Sequence, residues 1–260
     1  MNAPPAALQL CGLGLRYPDG AQALQALDLS VPRGQFCVVL GSSGSGKSSL
    51  LRLINGLARP TSGHVLLSGE RLRNGDLRTR GRHMATIHQG IDLVPRLSVL
   101  DNVLTGGVAQ LPLWRALAGA FDPPRQRRAC RLLQEVGLDE SQIYRRASAL
   151  SGGQQQRVGI ARAFMSAPSV VLADEPVSSL DPNTSRAVLA LLRRAAGAHG
   201  ATVLCSLHQV DLAQEFADRI VGLRQGRLVL DTDAPRALEP GALEQLYGRN
   251  GSGTARVEAA

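Results

Sequence analysis

Four kinds of side chain in this sequence could together bind a phosphate chain and cut it. They are a lysine in a glycine-rich turn, two tandem carboxylates, a histidine and a glutamine. Among 29 basic residues Lys47 is the single lysine, and all the others are arginine. It falls in Gly41-Ser42-Ser43-Gly44-Ser45-Gly46-Lys47-Ser48, the spacing of a phosphate loop. On a solvated surface Arg for Lys is usually tolerated, so the bias by itself reflects base composition. In a phosphate loop the compact ammonium reaches between β- and γ-phosphates, where a planar guanidinium would collide with the loop. The apolar run 36–40 before the loop reads as a buried strand. Residues 48–57 after it carry apolar side chains at helical spacing, Leu50, Leu51, Leu53, Ile54 and Leu57. Loop amides and a helix N-terminus could therefore cradle phosphates, with the Ser48 hydroxyl offered to Mg²⁺. A structural glycine turn is the competing reading.

The carboxylates stand in Val170-Val-Leu-Ala-Asp174-Glu175-Pro176, an apolar run ending in two acids. Such a strand would deliver Asp174 to the metal and Glu175 to an attacking water as general base. Solvated acids in an ordinary strand-end turn are the alternative. His208 follows the apolar stretch 201–207, and taken alone such a histidine is more often a satisfied structural residue. Gln89 follows 84–88 and says little by itself. Together, each of these residues sits at the carboxyl end of a predicted strand, where open parallel sheets place their ligand crevice. The set suits in-line hydrolysis of a nucleoside triphosphate, with Glu175, His208 and Gln89 as catalytic residues and Ser48, Gln89 and Asp174 at the metal.

A fifth element is Leu150-Ser151-Gly152-Gly153-Gln154, which opens a helical run through Ala163. Ser151 is a good N-cap and the glycines expose amides, so this is a second anion site. It lies in a helical insert from 98 to about 167, from which the same protomer's phosphates are hard to reach. A two-fold dimer, each copy closing on the other's nucleotide, resolves this.

The elements that must position these groups alternate between strand and helix. Residues 8–15 and 24–31 read as half-buried strands around a turn at Pro18-Asp-Gly20, and 64–67 and 84–88 as further strands. Strand patterns return at 170–173, 201–207, 219–223 and 227–230, giving an α/β class. At 260 residues and 44% hydrophobic, the chain can bury one sizeable core with a nested subdomain. No apolar run approaches the roughly 20 residues of a membrane span, and residues 1–7 lack a signal-peptide pattern, so a cytoplasmic location is expected. Four cysteines without metal-like spacing predict reduced core thiols. The net charge of +8 draws on arginines at 71–82 and 125–131. With aromatics at 3% and none interleaved, a solvated face or an anionic membrane surface is the expected partner, not nucleic acid.

From about residue 9 to about residue 231 the sequence resembles the ATP-binding subunits of ABC transporters. The phosphate loop, Gln89, Leu150–Gln154, Asp174-Glu175, Ser179-Leu180-Asp181 and His208 occur in the family's order. The resemblance implies a P-loop NTPase core of the ABC ATPase type, with an antiparallel β subdomain and a nested helical subdomain over roughly 90–167. One domain would span 8–247, with a small polar tail, expected to be mobile, at 248–260. It further implies ATP and Mg²⁺, Tyr17 stacked on adenine, and Ser151 and Gly153 on the opposite γ-phosphate. Asp181 would lie at the dimer seam and His208 on γ-phosphate. The implied partners are a second ATPase subunit, integral permease subunits and an extracytoplasmic solute-binding protein, with the chain peripheral on the cytoplasmic face of the inner membrane. Within the family the sequence is most similar to phosphonate-importer ATPases, through 173–182, 206–213, 218–223 and the insert around Trp114. Importers of other small solutes, such as amino acids, and soluble non-transport ABC ATPases remain alternatives. A phosphate-loop kinase is a third, without reason to carry Leu-Ser-Gly-Gly-Gln. Two departures stand out: Ser49 where Thr is usual, and Gln89-Gly90-Ile91 where the family shows Gln-Phe-Asn. The second leaves the permease partner, and so the cargo, open.

Overall fold

The computed structural model describes residues 6–73, 76–90, 93–112, 114–115, 119–233 and 240–248. Its strands are β1 (Ala6–Arg16), β2 (Gln22–Pro32), β3 (Phe36–Leu40), β4 (Ser62–Leu67), β5 (Glu70–Arg71), β6 (Met84–Ile87), β7 (Val170–Asp174), β8 (Thr202–Leu207), β9 (Arg219–Arg224) and β10 (Arg227–Thr232). The helices are α1 (Lys47–Asn55), α2 (Leu77–His83), α3 (Val99–Thr105), α4 (Pro123–Glu135), α5 (Glu140–Ile143), α6 (Gly152–Phe164), α7 (Pro182–His199), α8 (Val210–Phe216) and α9 (Pro240–Tyr247). Strands β2-β1-β4-β5 form an antiparallel sheet, and β10-β9-β3-β8-β7-β6 a second, in which only β10 runs against its neighbour.

The central strands read as continuous apolar runs because both their faces are covered. Val38, Leu40, Val171, Ala173, Val203, Cys205 and Leu207 pack on helices α3 to α8. Cys37, Val39, Val170, Leu172 and Leu204 face the other way, onto α1 and the inner face of the antiparallel sheet. Leu50, Leu51, Leu53 and Ile54 of α1 are all buried there. Each such side chain contributes about 1.5–3 kcal/mol, so α1 is clamped directly behind the loop that precedes it. The four cysteines are free, and burial pushes the Cys37 thiol up to about 12 and that of Cys205 higher, which keeps both as inert core groups.

The structure corrects several expectations from sequence. Helix α1 ends at Asn55, not 57, because Gly56 takes a left-handed φ of 84° as its C-cap and Leu57 turns outward at 67% exposed. Strand β5 and helix α2 gave no readable pattern in the sequence. Alternation in β1 breaks at Gly12, where φ is +55° and the register with β2 shifts. Nor are the arginines of 71–82 uniformly solvated. Arg80 is 5% exposed, donating Nε to Ile54 O at 3.2 Å and Nη1 to Arg73 O at 2.8 Å. It thus caps the Ile54 carbonyl in the last turn of α1, a favourable end of the helix dipole for a cation. A Cβ at Gly56 would fall 2.8 Å from Arg80 Nε, so this cap requires glycine there.

Between β6 and β7 the described residues form helices and turns, with one isolated bridge joining Ser98 to Arg146. Helix α6 packs on α3, α4 and α7. Its approach to the end of α3 is close, since a Cβ at Gly106 would lie 2.0 Å from Arg162 O. Gly106→Ala must therefore push α3 off α6 and should cost about 1–3 kcal/mol. Gly107→Ala, whose Cβ would meet Met165 Cγ at 3.4 Å, should cost under about 1 kcal/mol. Urea unfolding of the two variants side by side checks the contrast.

Candidate functional site

The loop from Gly41 to Gly46 joins β3 to α1 through three left-handed glycines, Gly41, Gly44 and Gly46. Close approach fixes two of them. A Cβ at Gly41 would sit 2.4 Å from Leu223 O, and one at Gly46 2.7 Å from Ala23 O. Beside Gly44 there is open space, and Ser42, Ser43 and Gly44 are exposed. Ser45 is buried, its Oγ without a hydrogen-bond partner. Gly46 is the N-cap of α1 and supplies no side-chain cap, whereas Ser151 caps α6 and Asp181 caps α7. The first amides of α1 are thus left to an anion from outside the helix.

Lys47 is 5% exposed and donates Nζ to Gly41 O (2.7 Å) and Ser42 O (3.2 Å). Burial lowers its pKa from the usual lysine value, while Glu175 and Asp174 oppose the shift. Its ammonium lies 4.0 Å from Glu175 Oε1, which also meets His208 Nε2. Ser48 Oγ donates to Asp174 Oδ1 at 3.2 Å. The phosphate loop, both acids and His208 are thereby joined into one contiguous array at the carboxyl ends of β3, β7 and β8. His208 is no satisfied core group: its side chain is 41% exposed and turned to Glu175. The acids are partly buried, not solvated, with the Glu175 side chain 12% exposed.

Glu175 takes φ +47° although it precedes Pro176, a conformation that costs on the order of 1–3 kcal/mol for a non-glycine residue. Its N–H donates to Ser206 Oγ at 2.9 Å, and that hydroxyl donates to Asp174 Oδ1 at 2.7 Å. Ser206 escaped the sequence reading. Its one signal was a polar residue at the carboxyl end of a mostly apolar strand, two positions before His208.

Other expected site residues lie apart from this array. Tyr17 follows β1, half-buried, its hydroxyl 3.0 Å from Ser49 Oγ, which ties it to the phosphate-loop helix. Gln89 is exposed two residues past β6, and among the described residues no hydrogen bond joins it to Ser48, Asp174 or Glu175. Gly90 is also exposed, while Ile91 lies outside the described residues, as does the tail beyond Gly248. Ser151 and Gln154 close a capping box on α6, Ser151 N donating to Gln154 Oε1 (3.0 Å) and Gln154 N to Ser151 Oγ (3.4 Å). Gly152 is exposed. Gly153 backs onto the start of α7, where a Cβ would lie 2.9 Å from Thr184 Cγ2. Asp181 accepts from Asn183 N (3.1 Å) and Thr184 N (3.0 Å), and hydrogen bonding from Thr184 holds its carboxyl below the ordinary range.

A phosphate loop at the carboxyl edge of a parallel sheet, with acids and a histidine from neighbouring strands, defines a nucleotide-binding α/β domain of the phosphate-loop class. The family model described as ABC transporter matches residues 24–178. The chain is 53% identical over 231 residues to the phosphonates import ATP-binding protein PhnC of Hydrogenovibrio crunogenus, covering 89% of this chain and 85% of the relative. It is 54% identical to the protein of the same name from Hyphomonas neptunium, covering 88% and 87%. Among solved structures it resembles a dimeric ATP-binding cassette in a post-hydrolysis state bound to ADP and Pi. There the TM-score is 0.76 at 31% identity, over 89% of this chain and 100% of that one. It also resembles cbiO1 of Clostridium perfringens, part of the ABC transporter complex cbiONQ, at TM-score 0.77 and 26% identity over 89% and 90%. The chain belongs to the ABC transporter family, as an ATP-binding cassette. The expected fold class is therefore the observed one.

Replacing Lys47 tests the loop directly. Lys47→Ala and Lys47→Arg should each weaken binding of a fluorescent ATP analogue by more than about tenfold, since the buried pocket around Nζ suits an ammonium and not a guanidinium. Near wild-type affinity in Lys47→Arg would remove the steric argument.

Proposed function

We propose that this chain is the ATP-hydrolysing subunit of an ABC importer that carries phosphonates or related phosphorus oxyanions across the cytoplasmic membrane. The observation that carries this reading is its 53% identity, over 89% of its length, to a protein named for phosphonates import. The contiguous array from Lys47 through Glu175 to His208 supplies the chemistry. Residues 41–49 would hold the phosphates of ATP, with Lys47 exchanging its bonds to the loop carbonyls for phosphate oxygens. Tyr17 would stack on adenine.

Two hard oxygen donors, Ser48 Oγ and Asp174 Oδ1, stand 3.2 Å apart beside the loop. Among the described residues no group of three or more carboxylate, imidazole or thiol side chains gathers into an all-protein cage. A site with few protein oxygens fits Mg²⁺, which keeps water and takes substrate phosphate. Ser48 and Asp174, with Gln89, would hold it, and the ion would neutralise charge on the phosphate oxygens. Glu175 would accept the proton of the water that attacks the γ-phosphorus, and His208 would hold the γ-phosphate. Ser151, Gly152, Gly153 and Gln154 would close on the nucleotide of a second copy, with Asp181 at the seam. Their hydrogen bonds lie within their own helix, and a 31% identical cassette is dimeric, which supports this arrangement. ATP touching both protomers favours the closed dimer; hydrolysis removes that differential affinity and releases it. The closing motion would be passed to permease subunits in the inner membrane, fed by a solute-binding protein, with this chain peripheral on the cytoplasmic side.

Glu175→Gln should lower turnover by about 10²–10⁴-fold while ATP stays bound and the dimer stays closed, as measured by phosphate release and size-exclusion chromatography. Turnover near the wild-type rate would remove Glu175 from the base role. The cargo is tested by deleting the gene in a strain without another phosphonate uptake system. Growth on a phosphonate as sole phosphorus source should be lost and growth on phosphate kept, and only the wild-type gene should restore the former. Undiminished growth on phosphonate would overturn the cargo.

A further inference from the structure

The Ser206 hydroxyl is the shared anchor of the two acids. It is 0% exposed, in the middle of the central sheet, where a polar side chain needs a partner. The other buried polar residue of β8, Thr202, is explained by the turn after β2, accepting from Gly34 N at 2.9 Å. Ser206 instead links β8 to the end of β7. Its one proton goes to Asp174 Oδ1 at 2.7 Å, and its oxygen accepts the Glu175 N–H at 2.9 Å. The direction of both bonds is fixed, because a carboxylate oxygen can only accept and an amide N–H can only donate.

Asp174 Oδ1 has a second donor, Ser48 Oγ, at the longer distance of 3.2 Å. That hydroxyl is the one assigned to the metal. If it turns toward a cation, Ser206 is the one hydrogen-bond donor left to the carboxylate among the described residues. The same oxygen pins the peptide at which Glu175 enters its left-handed φ of +47°. One side chain thus sets both the carboxylate that faces the metal and the backbone that carries the base. We propose that Ser206 is a positioning residue for the Mg²⁺-dependent step, acting through Asp174 and Glu175 and touching no substrate itself. This rests on the assignment of Asp174 to the metal made above.

Groups that orient metal-binding carboxylates typically contribute about 10–100-fold to metal affinity or activity. The test uses the full chain with a fluorescent ATP analogue, titrated with Mg²⁺ and measured also in EDTA, alongside ATPase kinetics and thermal melting. Ser206→Ala should raise the Mg²⁺ needed for half-maximal tightening of nucleotide binding by about tenfold or more and lower kcat by about 10–100-fold. Binding without Mg²⁺ should stay within about twofold, because the phosphate loop is untouched. Ser206→Thr, which keeps the hydroxyl, should recover most of both losses if its melting temperature matches that of the wild type. Asp174→Asn is the control for the metal assignment. If it leaves the Mg²⁺ requirement unchanged, that assignment falls, and the proposal with it. If Asp174→Asn raises the requirement and Ser206→Ala does not, the role of Ser206 alone is overturned. Equal loss of Mg²⁺-free and Mg²⁺-bound affinity in Ser206→Ala would make the residue merely structural, and would also overturn it.

Discussion

The site depends on the register of the parallel ladder β3-β8-β7. Leu40 pairs with Leu207 and Asp174 with Ser206, so three strands end level and deliver the loop, the acids and His208 to one edge. Side chains alternate across a strand, and Asp174 and Ser206 share the face of Leu172 and Leu204, the face that packs on α1. Ser48, in the first turn of α1, meets Asp174 there. A slip of one residue in β8 would turn Ser206 to the opposite face and unpair both acids. It would also bring Cys205 and Leu207 off the helical layer, so the hydrophobic core enforces the register the chemistry needs.

The array is held by opposing costs. Lys47 is buried with its charge, which is unfavourable without partners, and the loop carbonyls and two acids supply them. Glu175 sits in a conformation disfavoured for its residue type, and the bond from its N–H to Ser206 offsets part of that strain. A phosphate placed in the loop would compete for the same ammonium that now holds Gly41 and Ser42. Ligand and loop would therefore be coupled through one group, whose bonds to Gly41 O and Ser42 O a phosphate would replace.

The helical layer works differently. The N-terminus of α6 is capped by its own Ser151 and Gln154, and its orientation is set by close backbone approach to α3 at Gly106 and by packing on α7 at Gly153. These are steric constraints on small residues, and they fix where the segment Ser151–Gln154 points. They do not join it to the phosphate loop of the same chain, in keeping with a site completed by another copy.

Much of this was legible in the sequence. The lone lysine, the glycine spacing and the apolar runs ending in Asp174-Glu175 and His208 specify local backbone geometry, and local geometry is what residue type and period encode. The capping residue of α6 was readable for the same reason. The tertiary structure decided what depends on which strand lies beside which. Ser206 meets both acids only because β8 pairs with β7, and Arg80 became a helix cap only because its side chain reaches from α2 to the end of α1. The contact of His208 with Glu175 and the left-handed turn at Glu175 likewise arise between segments 33 residues apart in the chain. A sequence declares which groups can do chemistry; long-range pairing, driven by burial of the strands between two apolar layers, determines which of them meet.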